Sequence, residues 1–445
     1  MNMKSVAVLA TLTATAAAFA APVVDDVTMT QETATRCVTI TYKLTDEPAI
    51  VTFDIRTNGT SIGAANLQTV GGDVNKVVRS LGTTRTITWQ PTADWPGHKI
   101  SDRSVTAVVT AWATNCPPPY MTIDLLNDST ALTPNEGLRF YVSAEAVPGG
   151  VSNDVYKTRK LLMRKIPAAD IVWRKGPVVS SDYLGMGEYY YKNIWHLSER
   201  EPVHVVTLSA DYYIGVYPFT QGQYKTLRNA ASCPSDFSGY ADSDLRPYSG
   251  ISFGAIRGTN IGDRVPVEDG VDDGSIVKQL RDISQIDSID LPTEAQWEFA
   301  CRSGSGKALY SGKDIDCIVS SGSVGSSKNL DELAWYSGNS TNETTDAIAQ
   351  THPVGLKLPN AFGIYDMLGN VNEVVLDAWW LPVAGSESVD PISTAKYTPN
   401  WRVRKGGSYQ EDARFGRSAF RVWTDTPDKT LVGLGFRLAC KPIVK

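Results

Sequence analysis

Two carboxylates on either side of a tight turn are the side chains of this chain best placed to do chemistry. Asp366 and Glu373 flank a Gly369-Asn370 pair within the stretch 359–380, PNAFGIYDMLGNVNEVVLDAWW. Glycine tolerates positive φ, and asparagine tolerates it better than most residues, so Gly-Asn is turn chemistry. An acid at each end of such a turn, with backbone carbonyls exposed between them, forms an oxygen-rich cage that suits a hard cation such as Ca2+. The same spacing also suits a plain turn with solvated acids, and the residues alone leave both readings open.

The chain that must position these groups has 445 residues, enough for about two or three domains. Hydrophobic residues make up 42% and charged residues 20%, the balance of a soluble globular protein. The net charge is −6 and no basic stripe is visible. That excludes nucleic acid as a partner, because phosphate neutralisation needs clustered lysine and arginine. At the N-terminus, Lys4 precedes an apolar run over 6–12 and small residues ending Ala18-Phe19-Ala20. This pattern predicts a Sec-type signal peptide over 1–20, cut after Ala20. No cysteine stands at the junction to take a lipid, and no later apolar run is long enough to be a transmembrane segment. The expectation is a secreted or periplasmic protein. In that compartment Cys37, Cys116, Cys233, Cys301, Cys317 and Cys440, even in number and without a C-x-x-C, favour disulfides over metal or redox sites.

Residues 25 to about 126 read as strands. Val38, Ile40, Tyr42 and Leu44 alternate with polar residues, and Ala49, Val51, Phe53 and Ile55 repeat the pattern before an Asn58-Gly59 turn. Segments 84–90, 104–112 and 120–125 add three more. Short alternating strands separated by turn signals predict an all-β sandwich of immunoglobulin or fibronectin type. Its domain is placed over 25–150, with a break at Pro148-Gly149-Gly150. Cys37 and Cys116 flank the strands and are expected to clip their ends together. Nothing in this block resembles chemistry, so a spacer or adhesion role is its reading. The second unit is rich in glycine and aromatics. Thr220 is expected to cap a short helix, and Thr293 with Gln296 forms a capping box for a clearer one. Trp297, Ala300 and Cys301 share a face of that helix, and Gly304 ends it.

At this point the residues resemble a known family. LPTEAQWEFACRSG (291–304), AWYSGNS (334–340), HPVGLKLPNAFGIYDMLGNVNEV (352–374), KGGSYQEDARFGRSAFR (405–421) and LGFRLA (434–439) resemble, in order, the signature blocks of the formylglycine-generating enzyme, or sulfatase-modifying factor, family. The resemblance spans 160–443. It implies an α+β, C-type lectin-like formylglycine-generating-enzyme fold behind the β-sandwich, poor in regular secondary structure and holding calcium. In such proteins the turn segment binds Ca2+, which here implies the side chains of Asp366 and Glu373 and the carbonyls of Gly369 and Val371. A second calcium site would fall near Trp335 and Asp346. The family also joins the capping-box helix to the last strand by a disulfide, which implies Cys301 with Cys440. The match departs slightly, because Leu438 follows Arg437 and Cys440 comes two residues later than the family cysteine; a two-residue shift along a strand returns to the same face. Cys233 and Cys317 would then pair with each other or stay free.

The family enzyme uses O2 and a copper ion held by two thiolates that follow its G-G-S-Y segment. Here Glu411 stands where the first thiolate belongs and Gly416 about where the second does. A carboxylate does not replace a thiolate toward soft Cu(I). No catalytic residue is therefore assigned, and copper is not expected. Another branch of the family carries non-haem iron on histidines. Only His98, His196, His204 and His352 exist here, with no matching carboxylate pattern, so iron is not expected either. Tyr409, Glu411, Arg414, Arg417 and Arg421 would line whatever pocket replaced the copper site. Tyr409, Phe415, Trp401 and Trp423 would stack there on a sugar or peptide. Solvated acids, structural arginines and core aromatics are the plainer reading of the same residues. The resulting expectation is a pseudoenzyme: an exported, calcium-stabilised binding or structural scaffold for a protein or glycan ligand. The competing reading is a metal-dependent oxidoreductase of the formylglycine-generating or non-haem iron type.

Overall fold

Alternation of apolar and polar side chains builds the first unit. In the strand Val38–Thr45 every second residue, from Val38 to Leu44, is fully buried while its neighbours stay half-exposed. The computed structural model describes residues 22–98, 100, 104–126, 137–176, 203–258, 271–316, 325–342, 346–379, 387–393, 401–424 and 427–441. The expected signal peptide, His196, Cys317 and Trp380 lie outside them.

Strands β1 (Val23–Gln31), β2 (Val38–Thr45), β3 (Ala49–Thr57), β4 (Thr60–Ser61), β5 (Val70–Gly72), β6 (Lys76–Val78), β7 (Thr84–Trp89) and β8 (Val105–Ala113) form the first unit. One sheet runs β1-β2-β7-β5 and the other β4-β3-β6, with β8 paired antiparallel to β3 along nine residue pairs. The two sheets share a core that includes Tyr42, Val51, Ile55, Ile87 and Trp89.

Strands β9 (Tyr120–Asp124) and β10 (Leu138–Tyr141) leave this unit. Both were expected within the first 150 residues' sandwich. They pair instead with each other and with β11 (Lys160–Ile166), in a sheet ordered β10-β9-β11-β14-β22. The boundary therefore falls in the connection 114–119 rather than near 150. Tyr120, Met121, Thr122 and Ile123 are all buried, so β9 is covered on both faces and belongs to the interior of the larger unit. Ile50 of β3 joins the core of that unit beside Met121 and Phe140, and the Phe140 amide donates to the Asn75 carbonyl at 2.8 Å. The first unit is thus packed directly on the second.

The rest of the second unit contains β12 (Ile171–Lys175), β13 (His204–Leu208), β14 (Tyr212–Gly215), β15 (Thr341–Asn342), β16 (Asp346–Ala349), β17 (Asn372–Ala378), β18 (Glu387–Val389), β19 (Arg402–Lys405), β20 (Arg421–Trp423), β21 (Leu434–Gly435) and β22 (Ala439–Cys440). Apart from β14 and β22, which complete the sheet with β9 to β11, they form the sheets β12-β13-β18 and β20-β19-β17-β21 and the hairpin β15-β16. The helices Gln221–Arg228 and Glu294–Arg302 both open on complete capping boxes, Thr220 with Gln223 and Thr293 with Gln296. The second of these helices buries Ala295, Trp297, Ala300 and Cys301, with Trp297 fully enclosed.

Candidate functional site

The turn around Gly369 has the left-handed backbone its residues suggest, with φ of 53° at Asp366, 71° at Gly369 and 60° at Asn370. A Cβ on Gly369 would lie 2.3 Å from the Trp335 carbonyl oxygen, so close approach demands glycine as much as the dihedral does. Asn370 locks the turn from outside. Its side chain accepts from the His352 amide and donates to the His352 carbonyl, each at 3.0 Å.

The two acids of the turn have different fates. Glu373 is buried, and its Oε2 accepts from Trp297 Nε1 and from Arg437 Nε, both at 2.6 Å. Its Oε1 accepts from Arg437 Nη2 at 2.7 Å. Arg437, wholly buried, also donates to the carbonyls of Gly215 and Tyr365 at 3.0 Å and of Asp366 at 3.1 Å. Asp366 accepts from the Gly355 amide at 2.7 Å through Oδ2, while its Oδ1 is buried without a partner. Burial pushes the Asp366 carboxyl up to about 6, with Glu373 adding to the rise, although the Gly355 amide and Arg437 pull the other way. The Arg437 guanidinium thus pairs with Glu373, and the Asp366 carboxylate is left with one amide donor and a partnerless oxygen. A hard cation would satisfy that oxygen, so the residues fit one. Asp366 Oδ1 would lead the donor set, with Glu373 offering only the lone pair that Arg437 and Trp297 leave. Among the described residues no three His, Cys, Asp or Glu side chains converge on such a point. Other ligands would therefore have to be carbonyls and water. Of the second expected calcium position, Trp335 stacks on His352 at 3.8 Å and carries the Lys357 ammonium at 3.8 Å, whereas the side chain of Asp346 lies outside the described residues.

The loop that should carry copper thiolates lies beside this turn, tied to it by the Tyr409 amide donating to the Asn370 carbonyl at 3.1 Å. Glu411 Oε2 accepts from Asn372 Nδ2 at 2.6 Å and from Ser408 Oγ at 3.2 Å, and Arg404 lies 3.7 Å from Oε1. At Gly416 a Cβ would meet Leu330 Cδ2 at 2.7 Å. The five residues expected to share a pocket do not all share one. Tyr409 and Glu411 sit together; the buried Tyr409 ring meets Phe237 edge-on. Arg414 folds back on Asp412, and Arg417 Nε donates to the Arg414 carbonyl at 2.8 Å. Arg421 points elsewhere, forked on Glu294 at 2.8 and 2.9 Å. Trp401 and Trp423 stack on each other against the core, which is the plainer of their two readings.

Arg421 belongs to a buried charge cluster that sequence reasoning missed. Lys175 reaches Glu294 at 2.8 Å, Lys405 reaches Glu298 at 3.0 Å and Glu294 at 3.7 Å, and Arg302 reaches Glu298 at 3.0 Å. Burial alone would raise Glu298, but Lys405, Arg302 and Lys175 overcome it and hold the carboxyl at about 2. Burial likewise opposes Arg421, Lys175 and Lys405 at Glu294, and those cations win. The available signal was Glu294 and Glu298, two acids an i,i+4 step apart on a helix otherwise facing the core.

The described cysteines are free thiols, so neither expected disulfide is formed in this structure. Cys301 lies in one core cluster, 3.4 Å from Ser418 Oγ, while Cys440 lies in another and pairs across β22 and β14 with Tyr213. Cys37 is half-buried, and the exposed Cys116 lies beside Lys165 instead. Burial pushes the thiols of Cys233 and Cys301 up to about 12, and that of Cys440 upward as well. These groups stay protonated and are poor ligands for a soft ion. The described histidines are scattered: His98 stacks on Trp95, His352 on Trp335, and His204 is buried in β13.

A family model described as a sulfatase-modifying factor enzyme 1-like domain matches residues 183–442. Formylglycine-generating enzyme of Bos taurus is 33% identical over 156 residues, which are 34% of this chain and 38% of that protein. The match thus spans well under half of the bovine relative. Chaperone protein LppX of Paenibacillus barcinonensis is 32% identical over 231 residues, 46% of this chain and 71% of that protein. Among solved structures, Treponema denticola variable protein 1 aligns at 24% identity and TM-score 0.45, covering 64% of this chain and 96% of that one. PvdO from Pseudomonas aeruginosa aligns at 20% identity and TM-score 0.41, covering 63% and 94%.

Proposed function

Because the chain belongs to the family of sulfatase-modifying factor enzyme 1-like domains, we propose that it is a member that no longer makes formylglycine and serves as an exported binding or structural scaffold. The observation that carries this reading is the pair of positions where copper thiolates belong. One holds Glu411, fixed by Asn372 and Ser408, and the other holds Gly416, closed off by the Leu330 side chain. Cu(I) demands sulfur ligands, and Cys233, Cys301 and Cys440 are buried thiols held protonated. The ligand of such a scaffold would be a protein or a glycan. Its N-terminal unit, two antiparallel sheets on one core, is read as an immunoglobulin- or fibronectin-like spacer or adhesion module.

Calcium is the resident ion this reading includes, held by Asp366 Oδ1, the Gly369 and Val371 carbonyls and Glu373. When bound it would neutralise the surplus carboxylate charge and stiffen the turn. The chain's own residues do the rest: Arg437 anchors Glu373 to the last strands, and Asn370 ties the turn to His352.

Incubation with a cysteine peptide derived from a sulfatase, copper and O2, followed by mass spectrometry, tests the proposal. An unchanged peptide mass is the expected result. Conversion to the aldehyde would establish the oxidoreductase reading in its place. N-terminal sequencing of the protein recovered from culture medium or periplasm should begin at Ala21, and an uncut chain retained in the cytoplasm would refute export.

A further inference from the structure

Arg404 of β19 and Glu411 of the loop that follows it face each other across a gap. Nη2 of Arg404 lies 3.7 Å from Oε1 of Glu411, beyond hydrogen-bond reach, with the two side chains 20% and 21% exposed. The backbone on each side is fixed. Arg404 sits in the β19 ladder, paired with Val374 on one side and Val422 on the other. The Glu411 amide donates to the Ser408 carbonyl at 3.1 Å, and its carbonyl accepts from the Ser337 amide at 2.9 Å.

Each group spends its other atoms away from the gap. Arg404 Nε donates to the Trp423 carbonyl at 3.3 Å, which leaves its Nη groups without a hydrogen-bond acceptor among the described residues. Glu411 Oε2 accepts from Asn372 and Ser408, so Oε1 is the oxygen left for a donor. Asn372 is wholly buried, and with its Nδ2 committed to Glu411 its Oδ1 is enclosed without a partner. A buried acceptor that lacks a donor is costly. Donors on Arg404 thus stand against acceptors on Glu411 and, beside it, on Asn372.

A ligand that fits offers an acceptor and a donor side by side. The ion pair is balanced in itself, so a charged ligand would be attracted by one member and repelled by the other. A neutral amide brings its carbonyl to Arg404 and an N–H to Glu411. A primary amide carries a second N–H on the same nitrogen for Asn372 Oδ1, whereas a hydroxyl has one hydrogen and leaves that oxygen bare. We propose that Arg404, Glu411 and Asn372 form a recognition site for a primary carboxamide, the head group of an asparagine or glutamine side chain on a protein ligand. The proposal rests on the reading of this loop as a binding surface rather than a copper site.

Saturation-transfer NMR on the full chain tests it with acetamide as the probe. Acetate serves as the charged isostere, and N-methylacetamide as the secondary amide that an acetylated sugar would present. A saturable acetamide signal is expected at about the millimolar affinity that so small a ligand allows. Acetate and N-methylacetamide should bind at least about tenfold more weakly. Glu411→Gln gives the sharper test. Its oxygen replaces Oε2 toward Asn372 and Ser408, which turns its NH2 to the gap beside Arg404. Acetate should then bind in preference to acetamide, a reversal that no loss of packing produces. Arg404→Met should abolish both signals. Absence of a saturable acetamide signal, an equal signal from N-methylacetamide, or an acetamide preference retained in Glu411→Gln would each overturn the proposal while leaving the cysteine peptide unchanged. Conversion of that peptide to the aldehyde would overturn the scaffold reading and this site with it.

Discussion

Replacing Asp366 by asparagine isolates the charge at the turn. In the metal-free protein burial lifts this carboxyl from 3.8 to about 6, and the group is fully enclosed, so solvent screening takes nothing off the effect. Two pK units correspond to about 3 kcal/mol. The raised value means that the folded state keeps a proton that the unfolded state releases. The metal-free protein therefore loses stability as pH rises from about 4 through about 6, and it bears the whole penalty at neutral pH. Asparagine keeps an oxygen for the Gly355 amide and removes the charge. In EGTA near neutral pH, Asp366→Asn should be more stable than the native chain by up to about 3 kcal/mol, and the two should converge below about pH 4. Calcium should invert that order, adding about 4.1 kcal/mol to the native chain at a thousandfold excess over its dissociation constant and little to the variant. Urea unfolding followed by tryptophan fluorescence, with EGTA or calcium at two pH values, reads all four states. Asp377 is also buried and raised to about 6, but it is present in both proteins and drops out of the difference. A native chain indifferent to calcium would remove the ion from this turn. A metal-free variant less stable than the native chain at neutral pH would show that the surplus charge is compensated already.

Four further outcomes follow from the packing. Gly416→Ala places a methyl against Leu330 and should cost about 1–3 kcal/mol, most of it recovered by adding Leu330→Ala. For the same reason Glu411→Cys alone should not create a Cu(I) site, and stoichiometric copper resistant to a competing chelator would contradict that. Lys405→Met strips the ammonium from Glu298 in a wholly buried setting and should cost about 3–5 kcal/mol in urea unfolding; a loss near zero would mean the cluster is neutralised by protons. Alkylation of the native protein should modify exposed Cys116 first, and Cys233, Cys301 and Cys440 only on unfolding. A Cys116 that resists the reagent until reduced would restore the Cys37–Cys116 link.

What could be read from the residues was local. The alternation in β2 and β3, both capping boxes and the Gly369-Asn370 turn each depend on neighbours a few positions away, and each appears where its pattern stands. Assignments that depend on which strands meet were not legible. The segment Tyr120–Asp124 has the composition of a sandwich strand, and only its pairing with β11 moves it into the larger sheet. A cysteine shifted by two residues keeps its strand face but not its distance from a helix, and so Cys440 faces a different core from Cys301.

Glu373 gives this limit its chemical form. Spacing relative to Asp366 makes it look like a metal ligand, yet the parallel pairing of Glu373 with Gly435 delivers Arg437 to its two oxygens. The guanidinium takes over much of what an ion would do for Glu373 and does nothing comparable for Asp366, whose Oδ1 stays bare. Two acids that look equivalent along the chain thus become unequal once the sheet closes. The same closure gathers Lys175 from β12, Lys405 from β19 and Arg421 from β20 around the two glutamates of one helix. An ion at this turn would therefore answer the negative charge left on Asp366 after the strands have paired.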